Sequence, residues 1–116
     1  MDTPPPVAAR TNGGQPPYLL GWILDDDLLL KMGANHIDLV DLAIKWRKAN
    51  MEEPFNYWYC QRNGHQKVIL QIGNSSTQES LDLASTPDYI DRAKNVYGID
   101  IAPAWYRRER DALLIF

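Results

Sequence analysis

Asn63-Gly64 separates two runs rich in aromatic and aliphatic residues, Phe55 to Arg62 before it and His65 to Ile72 after it. No other pair in the chain so narrows the fold. A two-residue type I′ turn needs positive φ at both central positions, and Asn and Gly tolerate that best. With these two residues as the loop, the register follows. Arg62 faces His65, Cys60 faces Lys67, Tyr59 faces Val68, Trp58 faces Ile69, Tyr57 faces Leu70 and Phe55 faces Ile72. Side chains alternate across a strand, so Phe55, Tyr57, Tyr59, Val68, Leu70 and Ile72 share one apolar face. The other face carries Asn56, Cys60, Arg62, His65, Lys67 and Gln71 around one apolar pair, Trp58 and Ile69. The first face is expected in the core, the second partly in water.

Helical periodicity marks what covers the hairpin. Asn35 followed by Asp38 has the form of a capping box and predicts a helix over 36–49. Ile37, Leu39, Val40, Leu42, Ala43, Ile44 and Trp46 take more than half its circumference, and Asp41 pairs with Lys45 at i, i+4. Such a helix is expected to lie across the hairpin's aromatic face, covered on two sides. Thr86-Pro87-Asp88 opens a second helix over 87–97, with Pro at its first position, an Asp88–Arg92 pair and Gly98 as its stop. Upstream, 18–24 is apolar and fits a strand or a helix. Asp25 then caps a short helix that ends at Gly33, with Asp26 and Asp27 in its first turn. Residues 76–84 read either as a helical turn capped by Ser76 or as a strand through Leu81 and Leu83. Ile99-Asp100-Ile101 reads as a short strand. The tail reads either as a helix begun by Pro103 or as an edge segment from Trp105, a turn near Asp111 and a closing strand, 113–116.

These elements define an α+β fold: a small, mainly antiparallel sheet centred on the 56–72 hairpin, packed against helices near 36–49 and 87–97. With 116 residues, 45% of them apolar, the chain has enough to bury one core without disulfides or metal. Burying side chains such as Trp46, Tyr57, Leu70 and Ile90 contributes about 1.5–3 kcal/mol each. Residues 1–17, rich in Pro and Gly, are expected to form a disordered arm ahead of a single domain spanning 18–116. Pro4-Pro5-Pro6 and Pro16-Pro17 have the composition of polyproline II segments.

Charge and cysteine usage limit the classes of function. The net charge is −3, with eight acids against five bases in residues 1–58 and seven of each thereafter. That balance leaves no basic footprint for nucleic acid. A single cysteine suits a reducing compartment. The N-terminus has neither the basic start nor the apolar centre of a secretion signal, and no run suffices to span a bilayer. Cytosol or nucleus is the expectation, with no membrane partner.

Each chemical candidate has a plainer reading beside it. Asp25-Asp26-Asp27 offers carboxylates to a hard cation, but adjacent residues at a helix start point apart, and capping explains them. Cys60, His65 and His36 are too few and too scattered for a zinc site or a thiol–imidazole pair. Gly13-Gly14 and Gly73-Asn74-Ser75-Ser76 lack phosphate-loop spacing. Hence no catalytic residue, metal site or cofactor is assigned.

Three classes of function remain. The leading one is a non-enzymatic protein-interaction or regulatory module, including a homodimeric form, in which Trp58 and Ile69 make an apolar centre ringed by polar residues unless helix 87–97 or segment 18–24 covers them. Trp105, Tyr106, Arg107, Arg108 and Arg110 add aromatic and guanidinium anchors of the kind enriched in interface hot spots. The second is a small enzyme or ligand-binding domain with a pocket between sheet and helix, using His36, Tyr57, Tyr59 or His65 as polar groups. The third is a single-strand nucleic-acid binder through the same Trp105–Arg110 cluster, which Glu109 and Asp111 dilute.

Overall fold

The computed structural model describes residues 4–8, 17–62, 64–109 and 112–115. In chain order its elements are β1 (Tyr18–Ile23), α1 (Asp26–Lys31), α2 (Leu39–Lys48), β2 (Asn56–Arg62) and β3 (His65–Asn74), then α3 (Gln78–Ala84), α4 (Pro87–Tyr97), β4 (Ala104–Glu109) and β5 (Ala112–Ile115). The α+β architecture and the antiparallel hairpin are as expected. Tyr57 pairs with Leu70, Trp58 with Ile69 and Arg62 with His65, while Gly64 has φ +77°. Asn63 lies outside the described residues. The ladder stops at Asn56 and Gln71, one pair short of Phe55 and Ile72.

What the hairpin pattern does not disclose is that the sheet closes. Strands run in the order β1-β3-β2-β5-β4, and β4 returns to β1 to complete a five-stranded barrel. Four ladders are antiparallel; among the described residues the fifth is a single parallel bridge between Gln61 and Ala112. Closure gives every strand an inner and an outer face. Leu19, Ile23, Cys60, Ile69 and Tyr106, with Trp58 and Ala104, form a cluster made of strand residues alone, which places it inside. Leu20, Trp22, Val68, Leu70, Ile72 and Trp105 point outward into a second, larger cluster shared with the helices.

Two glycines and one bulge shape the barrel. Between Leu20 and Gly21 the β1–β3 register slips, leaving Ile72 as the extra residue on β3. A bulge of this kind bends its strand and tightens the twist. Beside it, a Cβ on Gly21 would stand 2.0 Å from the Leu70 carbonyl oxygen, so only glycine allows the two backbones so close. A Cβ on Gly73 would meet the Ala84 Cβ at 2.7 Å, which shows how closely α3 lies on β3.

The helices cover the outer face unevenly. Asp25 caps α1 by accepting from the Leu28 N–H at 2.9 Å. Helix α2 starts at Leu39, later than predicted, because Asp38 rather than Asn35 supplies the cap, accepting from the Asp41 N–H. Thr77, not Ser76, caps α3, which makes 78–84 helical and not a strand. Helix α4 has the predicted bounds, with Gly98 at φ +68°. The 99–101 segment is no strand; its Ile101 carbonyl accepts from the Trp22 indole N–H at 3.0 Å.

Helix α2 also differs in placement. It packs against α4 instead of crossing the hairpin, burying Leu42 and Trp46 and leaving Val40 71% and Ile44 44% exposed. The Trp46 ring stacks on Tyr97 at 5.3 Å and meets Tyr89 edge-on, while Tyr97 meets Trp22 edge-on. Opposite-charge contacts brace the same layer. Arg92 of α4 grips Glu52 with two hydrogen bonds of 2.9 and 2.6 Å, and pairs with Asp88 as predicted.

Part of the stretch expected to hang free lies on the domain. Pro5 is fully buried, and the Ala8 N–H donates to the Ser75 carbonyl at 2.9 Å. Residues 1–3 and 9–16 lie outside the described residues. Among the described residues no helix is long and apolar enough to cross a membrane.

Candidate functional site

Because α2 leans on α4, no helix among the described residues covers the outer face of β2 at Tyr59. Alternation puts Tyr57 and Tyr59 there, with Phe55 just ahead of the strand. The rings of Phe55 and Tyr57 lie 6.0 Å apart, and those of Tyr57 and Tyr59 lie 5.8 Å apart and perpendicular. Phe55 and Tyr57 are half-buried against the main core, whereas Tyr59 is 59% exposed. Sequence alternation placed Tyr59 in the core; the barrel's outer face is longer than the helical layer that covers it.

A surface hollow of about 350 Å³ continues this ladder past Phe55, walled by Trp46, Arg47, Asn50, Met51 and Pro54. Its walls are held in place. The Trp46 indole N–H donates to the Glu53 carbonyl at 2.7 Å, and Asn50 takes a left-handed turn at φ +54°. Glu52, beside Glu53, is gripped by Arg92, and that hydrogen bond holds its carboxyl below the usual range. Phe55 belongs to both hollow and ladder, so the two form one surface.

Two further hollows are smaller than this one. One of about 230 Å³ lies between β1, α1 and β4, with Asp25, Asp27, Lys31, Trp22 and Tyr106 on its walls. Another of about 70 Å³ lies between α1 and α2 and is lined by His36, Asp38, Lys45 and Tyr97. The Tyr97 hydroxyl is buried with no hydrogen-bond partner among the described residues, and burial pushes its phenol up. Sites for drug-sized molecules span about 300–1,000 Å³. Both hollows fall below that.

The residues singled out from sequence are dispersed. Ile69 is fully buried and Trp58 half-buried, its indole N–H donating to the Gln71 side-chain oxygen. The island they form is the inside of the barrel, covered by Leu19, Ile23 and Tyr106, and not an open apolar centre. Trp105 and Tyr106 are both buried, on opposite faces of β4. Arg107 is exposed and its backbone pairs with Tyr18 and Leu114. The backbone of Arg108 pairs with Leu113, while its side chain, like Arg110, falls outside the described part.

The four candidate ligand residues do not converge. His36 lines the α1–α2 hollow with its Nδ1 2.8 Å from Asn35 Oδ1, Tyr57 and Tyr59 stand on the outer β2 face, and His65 is exposed at the hairpin tip. Cys60 is buried inside the barrel. Among the described residues no three His, Cys, Asp or Glu side chains are grouped to hold a metal. Met51 and Pro54, which wall the hollow beside Phe55, are not among the residues singled out from sequence; their position between a helix end and a strand of aromatics is the available signal.

Compared with known proteins, the chain matches no family model, no curated protein and no solved structure.

Proposed function

We propose that this chain is a non-enzymatic protein-interaction domain that meets its partner through the outer face of β2. The observation that carries the reading is the Phe55–Tyr57–Tyr59 ladder, seated in the core at one end and exposed at the other. Rings held this way lose little freedom on binding, and Tyr is among the residues that concentrate binding energy. The hollow next to Phe55 gives a partner side chain somewhere to enter. A second copy of the chain is one such partner, with the ladder packing on itself about a two-fold axis. The Trp105–Arg110 cluster offers a nucleic acid no stacking rings, since Trp105 and Tyr106 are buried.

A photo-crosslinking amino acid at position 59, with one at exposed Asp91 as control, tests this reading. Crosslinks from 59 that disappear with Tyr57→Ser support it. Crosslinks no different from those at 91 sink it. Light scattering across the micromolar range separates the homodimeric form, which Tyr59→Glu should return to monomer.

A further inference from the structure

Pro4 to Ala8 contacts the domain with a repeat of three: Pro5 is fully buried and Ala8 half-buried, while Pro4, Pro6 and Val7 are exposed. A three-residue repeat is that of an extended proline-type helix, which turns the same face back every third residue. The segment is also read through its main chain, because the Ala8 N–H donates to the carbonyl of Ser75, the residue that continues β3 past its last ladder pair. A pocket for one side chain plus a main-chain bond three residues on is a mode of peptide recognition.

We propose that the slot beside Ser75 is a binding site for an extended, proline-bearing peptide with a small residue three positions after the buried proline, and that the chain's own Pro4–Ala8 occupies it. The Ser75 hydroxyl is buried and has no hydrogen-bond partner among the described residues, although buried polar groups are almost always paired. A peptide from another molecule that offers an acceptor there gains a bond the resident lacks. The resident in turn competes at about millimolar effective concentration, since it is joined to its own receptor. The site is therefore gated by its own chain. The inference is independent of the ladder on β2.

A fluorescent peptide covering residues 2–12 is titrated into the full chain and into the full chain carrying Pro5→Glu, which vacates the slot. The variant should bind the peptide about tenfold or more tightly than the natural chain, given the competition removed. A peptide carrying Pro5→Glu should lose that binding, and one carrying Pro6→Glu should keep it. Equal loss from the two peptides, or no binding to either chain at about millimolar peptide, overturns the proposal. Should Pro5→Glu unfold the chain, hydrogen exchange on the natural protein decides. Excess peptide must speed exchange of the Ala8 amide, and an unchanged rate overturns the proposal.

Discussion

The Tyr89 hydroxyl donates to the Ile72 carbonyl, the residue that the β1–β3 slip leaves out of both neighbouring ladders. A helix side chain thus supplies a partner at the bulge. Tyr89→Phe keeps the ring against Trp46 and removes only that donor. The expected cost is about 1–3 kcal/mol, that of stranding a buried acceptor. A lower urea midpoint at unchanged slope would show it, and an unmoved midpoint would mean that the carbonyl has another partner.

Tyr89 and Tyr97 also set an alkaline limit. Burial, first among the causes, raises both phenols well above the ordinary value of 10.0. The unfolded chain therefore releases these protons from about pH 10 upward while the folded chain retains them. Stability should be full below that pH and fall as pH rises through the range above it. Denaturation midpoints between pH 8 and 11 check the sign; a flat profile would mean that the phenols reach solvent in the fold.

At Gly21 the expected effect is larger than propensity alone gives. A methyl group there would collide with the Leu70 carbonyl, which is backbone and has nowhere to go. Gly21→Ala should cost about 1–3 kcal/mol or more by overpacking. Thermal unfolding of this variant beside Gly98→Ala, which meets no neighbour but has positive φ, separates collision from backbone strain.

How far these features were legible in the sequence depends on how local their causes are. The positive φ at Gly64 and the register from Tyr57–Leu70 to Arg62–His65 follow from neighbours in the chain, and the structure agrees with both. It agrees too with the Asp25 cap, the Gly98 stop and the Asp88–Arg92 pair. The start of α2 was misplaced because Asn35 and Asp38 are both competent caps, and packing on α4 chose between them. The Trp58–Ile69 face reads in sequence as partly wet, with helix 87–97 or segment 18–24 as its candidate cover; β1, which lies in 18–24, does cover it, together with β4 from the other end of the sequence. No pattern within the hairpin announces that the sheet will curl closed. Tyr59 failed for a related reason: alternation assigns a face but not how far along it a helix reaches.

The two faces of the hairpin should respond oppositely to truncation. Ile69→Ala empties space inside the barrel and should cost about 2–5 kcal/mol. Tyr59→Ser, on the exposed end of the ladder, should stay within about 0.5 kcal/mol. Chemical denaturation of both variants checks the assignment, and a reversed order would exchange inside and outside.

The Glu52–Arg92 grip has its own pH signature. Arg92, through its hydrogen bonds, lowers the Glu52 carboxyl from 4.5, so the contribution is present above that pH and lost as pH falls through the lowered value. The stability gap between the natural chain and Glu52→Gln should close in acid, and should shrink in high salt because the pair is exposed. A gap that persists in acid would assign the effect to packing.

Tyr18 of β1 pairs with Arg107 of β4, across almost the whole length of the chain. During synthesis the first strand must therefore wait for nearly the last before its second edge is satisfied, although the central hairpin can form at once. Long-range pairing of this kind slows folding and leaves strand edges bare in the interim. A nascent chain stalled before Arg107 would carry an unclosed sheet with Leu19 and Ile69 on view, a natural target for chaperones or proteases at the ribosome.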